Sequence, residues 1–192
     1  MLFSLKQEAP ASVGGGTLTQ PNDISMDSRY DAICGITEDE LYSVFGEAIS
    51  EMASKLNYTV ETMKAELKKQ YDGYHFSNAL LDVYNPFSII NAFNKMDIDN
   101  YWYKSGTPTY LVKLLEGHHV NMQKLTSRPY ESQYFVDYRA DAENSLAMLY
   151  QSGYLTIKGY DRHYREYTLD YPNVEVRKGF VALMAEANKC CS

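Results

Sequence analysis

Residues 154–170 have the sequence YLTIKGYDRHYREYTLD, in which apolar and polar side chains alternate on both sides of a polar turn. Alternation with a period of two is typical of half-buried β-strands. The segment therefore predicts a hairpin with one strand over 154–160, a turn at Asp161-Arg162-His163, and a second strand over 164–170. Because helical patterns flank it, this hairpin determines the fold of the last third of the chain.

The two flanking segments have the period of helices. A helix is predicted from about Asp141 to Gln151, where Ser152-Gly153 ends it. Pro172 is predicted to open a final helix, whose apolar residues at 176, 180, 183 and 184 share a face. The order helix, hairpin, helix predicts a winged-helix-like module over residues 139–192.

The residues before this module predict several helices. Thr37 and Glu40 have the spacing of a capping box, and behind them Leu41, Val44, Phe45 and Ile49 are predicted to form one buried face. A second helix is predicted over 59–71, and Gly73 is placed to end it.

Two further helices are predicted from Asn-Pro and Thr-Pro pairs, which suit helix starts. The helix that opens at Pro86 is expected to be largely buried through apolar residues at 87, 90, 92 and 93. The helix that opens at Pro108 is expected to run to Gly117, and a loose polar stretch follows over 118–138. The fold class is thus mixed α/β and predominantly α-helical.

Residues 1–21 are predicted to form a flexible N-terminal arm, because they contain Pro10, three consecutive glycines and little periodicity. The glycines at 14–16 are followed by Thr17-Leu18-Thr19, and the sequence contains no Gly-Lys-Ser/Thr. A phosphate-binding loop is therefore not predicted.

Composition narrows the class of protein. The 192 residues include 45% hydrophobic ones and carry a net charge of −7, which argues against nonspecific nucleic-acid binding without excluding a local basic patch. No apolar run is long enough to cross a membrane, and the three cysteines lack metal-binding or disulfide spacing. A cytoplasmic location is expected. The 18 tyrosines suit half-buried packing positions, with a base-stacking or partner surface as the alternative.

Candidate chemical groups are few. The four histidines have no metal-ligand spacing, and His75, between Tyr74 and Phe76, is more typical of a hydrogen-bonded structural histidine than of a catalytic base. The run Glu175-Val176-Arg177-Lys178 superficially resembles a nuclease motif, but its helical context predicts that its charged residues form the polar face of the last helix. No catalytic residue, metal or cofactor is predicted.

A set of ordered motifs resembles the bacterial AAA-ATPase-like family. These motifs are NDISMD at 22–27, RY at 29–30, ICGIT at 33–37, YDGYHFS at 71–77, YNPFS at 84–88, YWYKSGTP at 101–108, LYQSGYLTI at 149–157 and YPNVEVR at 171–177. In that family the phosphate loop precedes the first motif, and a restriction-endonuclease-like nuclease domain often follows the final helix. The resemblance implies that this chain corresponds to the part between them and has no ATPase site.

By the same resemblance, residues 22–138 are expected to form a lid-like helical region.

Three hypotheses about function follow from the sequence as a whole. The first is a non-enzymatic module for protein contact or regulation, or a truncated remnant, with self-association through the helical half. The second is a nucleic-acid-binding winged helix, and the third, weaker one is a hydrolase that uses His75. The residues considered for interaction are His75, Lys104, Lys158, Arg162, Arg165, Arg177 and Lys178.

Overall fold

The computed structural model describes residues 24–104, 121–136 and 145–189. The predicted arm at 1–21, the helix predicted to open at Pro108, the first residues of the helix predicted from Asp141, and Cys190 and Cys191 all lie outside these ranges.

Seven α-helices and one hairpin are seen in the described part. The elements are α1 (Glu38–Lys55), α2 (Val60–Tyr71), α3 (Pro86–Lys95), α4 (Tyr101–Lys104), α5 (Met122–Thr126), α6 (Ser145–Gln151), β1 (Thr156–Asp161), β2 (Glu166–Asp170) and α7 (Val174–Lys189), with single 3-10 turns at Ser28–Tyr30 and Ser132–Tyr134. The fold is therefore mixed and predominantly helical, and it ends in a helix–hairpin–helix arrangement, as predicted. Within the described ranges, no helix is long and apolar enough to cross a membrane.

The helix starts follow the predicted capping chemistry. The Thr37 hydroxyl accepts from the Glu40 amide and the Glu40 carboxylate accepts from the Thr37 amide, which completes the capping box of α1. The Asn85 side chain accepts from the amides of Phe87 and Ser88, and Pro86 occupies the first position of α3.

The buried faces of α1 and α3 are narrower than predicted. Val44 is 69% exposed, because α1 packs on the core through Leu41, Ile49 and the partly buried Phe45, and Val44 lies beyond the edge of this face. In α3 the buried face is formed by Ile89, Ala92 and Phe93, whereas the side chains at 87 and 90 are each 47% exposed. The prediction that α3 is largely buried was therefore wrong for two of the four residues on which it rested, Phe87 and Ile90.

The last third contains the predicted hairpin with shifted ends. β1 pairs antiparallel with β2, and an irregularity between Ile157 and Gly159 leaves Lys158 without a cross-strand partner. Residues 162–165 form the turn, so β2 begins two residues later than predicted. α7 begins at Val174 rather than at Pro172, because the Asn173 side chain caps it by accepting from the Val176 amide.

The segment predicted to be loose, 118–138, contains α5 and the second 3-10 turn in its described part. Tyr130 also forms an isolated antiparallel bridge with Tyr167 on the edge of β2. This stretch is therefore partly ordered by its contact with the hairpin.

Buried apolar side chains form two clusters. The first lies among α1, α2 and α3 and includes Leu41, Met52, Met63, Leu67 and Ile89. The second surrounds the hairpin and includes Phe135, Leu149, Ile157, Leu169, Val176 and Phe180. Tyr74 and Val83, from the helical region, are part of the second cluster. The helical region and the helix–hairpin–helix arrangement thus share a core.

Candidate functional site

The turn that follows α2 brings the most concentrated set of polar groups together. We call residues 72–75 the junction turn. Its Gly73 has φ +93°, and a side chain there would place Cβ 2.5 Å from the Pro172 carbonyl oxygen. Only glycine tolerates both this backbone conformation and this close approach. Two residues after Gly73, His75 lies against β1.

His75 is almost completely buried against β1. Its amide donates to Thr156 Oγ1 at 2.8 Å, and Thr156 Oγ1 donates back to the His75 carbonyl at 2.9 Å. The ring places Nδ1 2.6 Å from the Ile157 carbonyl oxygen and Nε2 2.7 Å from the Asp82 carboxylate. Both ring nitrogens are therefore occupied by protein groups, as expected for a structural histidine, and neither is presented to a substrate.

Lys158 also belongs to this junction, because its side chain contacts the junction turn and not solvent alone. Its ammonium donates to the Gly73 carbonyl at 2.6 Å and to the Pro172 carbonyl at 3.0 Å, and burial lowers the pKa of this lysine. The physical reason is the strand irregularity at Lys158, since a bulge redirects the side chain that it carries. Lys158, one of the residues considered for interaction, is therefore engaged in an internal contact.

Glu175 is fully buried, which corrects its placement on the polar face of the last helix. Its carboxylate accepts from the Ser88 hydroxyl at 2.7 Å and from the Trp102 amide at 2.8 Å. Burial raises the pKa of this carboxyl, and the bonds from Ser88 and the α4 amides offset part of the shift. Glu175 thus ties α3 and α4 to the start of α7.

Asp72 is a buried carboxylate that the sequence did not single out. Its side chain is 2% exposed, and the Lys68 ammonium lies 3.8 Å from one of its oxygens. Burial raises the pKa of Asp72 to about 6. The Gly73 amide and Lys68 lower this pKa, but their effect is smaller than that of burial.

The remaining interaction candidates lie elsewhere. Arg162 and Arg165 are exposed on the hairpin turn, and Arg177 and Lys178 are exposed on α7, as predicted. The side chain of Lys104 lies outside the described part. The structure therefore brings His75 and Lys158 together at the junction, while the four exposed cations occupy the hairpin turn and the outside of α7.

Two recesses accompany these groups. A cavity of about 30 Å³ beside the junction is lined by His75, Phe76, Tyr150 and Thr156, and a space of that size holds water rather than a substrate. A wider groove of about 530 Å³ lies between α5 and α6 and includes Arg128, Glu131 and Glu166 in its lining. Among the residues that the structure describes, no three His, Cys, Asp or Glu side chains are grouped as a metal site would require.

Comparison with known proteins gives one relative. The chain is 31% identical over 179 residues to a protein of Azotobacter chroococcum mcd 1 named "Uncharacterized protein in vnfD 5'region". The match covers 92% of this chain and 32% of the relative, so the chain spans about a third of the length of that protein. No family model matches the chain, and no solved structure matches it.

The sequence signals for the junction were of unequal strength. Gly73 after a helix and His75 between aromatic residues were visible in the sequence. The roles of Asp72, Lys158 and Glu175 depend on partners far away along the chain, such as Ser88 for Glu175, and no local pattern indicated them.

Proposed function

We propose that this chain is a non-catalytic region of an AAA-ATPase-like protein that serves protein contact or regulation, with no ATPase site of its own. The observation that carries the proposal is the contrast between two sets of side chains. Val44, Phe87 and Ile90 on the helical half are between 47% and 69% exposed, whereas His75, Lys158 and Glu175 are engaged in internal contacts.

Exposed apolar side chains favour association, because covering them removes apolar surface from water. In α3, Phe87 and Ile90 are three residues apart and therefore neighbours on the helix surface. We propose that a second copy of the chain covers this face, so that two copies form a homodimer in the cytoplasm.

The relation to AAA-ATPase-like proteins rests on the ordered motifs between residues 22 and 177. The Azotobacter relative supports the view that a chain of this kind corresponds to one region of a longer protein, since the match covers about a third of it. The sequence has no Gly-Lys-Ser/Thr, and the backbone cradle and lysine of a P-loop are what hold the phosphates of ATP in such proteins.

Light scattering at high micromolar concentration tests the association. We expect the wild-type chain to have the mass of a dimer, and the double variant Phe87→Ser, Ile90→Ser to have the mass of a monomer. Val181→Ser is the matched control, because Val181 is 61% exposed but lies on α7, and we expect it to remain dimeric. A monomeric wild type would refute self-association.

Calorimetry with Mg-ATP tests the absence of an ATPase site. We expect no binding heat with the purified chain. Micromolar affinity for ATP would overturn the proposal, because it would require a nucleotide site that the sequence motifs do not supply.

A nucleic-acid-binding winged helix is the second candidate function. The hairpin turn exposes Arg162, His163, Tyr164 and Arg165 together, and the Asp161 carboxylate shapes the turn by accepting from the amides of residues 163 and 164. Such a turn could offer two cations to phosphates and a tyrosine ring to a base. Asp161 and Glu166 at its ends reduce the local positive charge, which favours the first proposal.

Fluorescence anisotropy with labelled duplex and single-stranded DNA at low salt separates the two candidates. Binding that weakens steeply with salt and is lost in Arg162→Ala, Arg165→Ala, but not in the exposed α1 control Lys55→Ala, would support the nucleic-acid function. Anisotropy that does not change with either DNA would rule out the nucleic-acid function.

A further inference from the structure

The groove of about 530 Å³ between α5 and α6 takes no part in the contacts proposed above. Its lining combines apolar side chains, among them Leu125 and Leu146, with two carboxylates, Glu131 and Glu166. Ligand pockets have volumes in this range, and their polar groups fix the orientation of what they bind. The groove shares no residue with the α3 face that we propose for dimerisation, so a ligand there does not depend on self-association.

The two carboxylates are brought together by the bridge between Tyr130 and Tyr167. The Tyr130 amide donates to the Tyr167 carbonyl at 2.9 Å, and the Tyr167 amide donates to the Tyr130 carbonyl at 2.7 Å. Glu131 continues in extended backbone conformation, with φ −72° and ψ 150°, and Glu166 is the first residue of β2. In this antiparallel register residues 131 and 166 stand opposite each other, and opposite residues share a face.

Neither carboxylate is neutralised by a cation of the described part of the chain. Gln133 Nε2, a neutral donor, lies 3.2 Å from the Glu131 carboxylate, and no lysine, arginine or histidine described in the structure forms an ion pair with Glu131 or Glu166. Like charges directly opposite each other across a strand pair are unfavourable. A cation that bridges the two carboxylates removes this repulsion.

Arg128 also lines the groove, but its guanidinium is engaged with Tyr130. Its Nε donates to the Tyr130 hydroxyl at 3.0 Å, and its guanidinium carbon lies 5.0 Å from the centre of the Tyr130 ring. With two carboxylates and one guanidinium, the lining keeps a net negative charge. The chain as a whole has a net charge of −7, which also attracts a basic partner before contact.

We propose that the groove binds an arginine side chain presented by an extended segment of a partner protein. The guanidinium is planar and carries five N–H donors, so one arginine donates to both carboxylates at once. Its aliphatic stem packs on Leu125 and Leu146, and Tyr134, which is 53% exposed, presents a ring that attracts a cation. A lysine ammonium is a point charge without this fork and is the poorer fit. The proposal adds a second kind of partner to the contact function and does not require the chain to dimerise.

NMR titration of the nitrogen-labelled full chain with a capped peptide, Gly-Ser-Arg-Ser-Gly, tests the site. We expect saturable shifts at the amides of residues 131, 145 and 166, which line the groove. The same peptide with citrulline in place of arginine has nearly the same shape without the charge and should give no saturable shifts. A lysine peptide should bind more weakly. No saturable shift with the arginine peptide at millimolar concentration, or equal binding of either control peptide, would overturn the proposal.

Two conservative variants assign the binding to the two carboxylates. Glu131→Gln and Glu166→Gln should each weaken the arginine peptide about tenfold, as for loss of a hydrogen bond to a charged group. Glu51→Gln removes an exposed carboxylate on α1 and should leave the affinity unchanged. Wild-type affinity in both groove variants, or an equal loss in Glu51→Gln, would show that the attraction comes from the overall charge and would refute the assignment.

Discussion

Replacing Asp72 with asparagine should stabilise the chain at neutral pH. The buried carboxylate has a pKa of about 6 against an ordinary value of 3.8, and each unit corresponds to about 1.4 kcal/mol. The two units set an upper limit of about 3 kcal/mol, and we expect about 1–2 kcal/mol because the exposed Lys68 admits solvent to the site. Asparagine keeps the shape of the side chain and removes the charge.

The assay is urea denaturation of both proteins at several pH values, followed by circular dichroism. From about pH 4 to pH 7 the wild type should lose about 1–2 kcal/mol of unfolding free energy relative to Asp72→Asn. Asp39→Asn, on the exposed first turn of α1, is the control and should follow the wild-type pH profile. If Asp72→Asn were less stable than wild type at pH 7 by more than about 1 kcal/mol, the carboxylate would be stabilising and the reasoning would be wrong.

Three further substitutions test the contacts that join the helical region to the hairpin. Glu175→Gln should cost about 1–3 kcal/mol, because a neutral amide weakens the bonds from Ser88 and the α4 amide, and chemical denaturation measures it. Gly73→Ala should cost at least about 1–3 kcal/mol, since its φ is +93° and Cβ would meet Pro172, and a drop in thermal midpoint reports it. Lys158→Met should cost about 2–3 kcal/mol through loss of two charged hydrogen bonds, with increased hydrogen exchange at the junction. If any of the three variants had wild-type stability, the contact that it alters would not stabilise the fold.

Local chemistry accounts for what the sequence predicted well. The capping box of Thr37 and Glu40, the Asn85-Pro86 helix start and the turn at Gly73 each depend on residues within a few positions of one another. The alternation over 154–170 likewise predicted the hairpin. These local conformational preferences are realised in the structure because the tertiary contacts favour the same conformations.

Nonlocal contacts explain the features of the structure that the sequence did not predict. Glu175 is buried because Ser88 and the start of α4 supply donors from a distant part of the chain. The Lys158 ammonium donates to the carbonyls of Gly73 and Pro172 because the strand is irregular at this residue. The burial of Val44 was mispredicted because an apolar residue at the edge of a helical face satisfies the sequence pattern without having a neighbour to cover it.

Sedimentation velocity of the wild-type chain and of Phe87→Ser, Ile90→Ser over a wide concentration range tests the proposed contact function most directly. From the proposed function we expect a concentration-dependent monomer–dimer equilibrium for the wild type and for Val181→Ser, and a monomer at every concentration for the double variant. A wild-type chain that sediments as a monomer throughout, or a double variant that still dimerises, would contradict it.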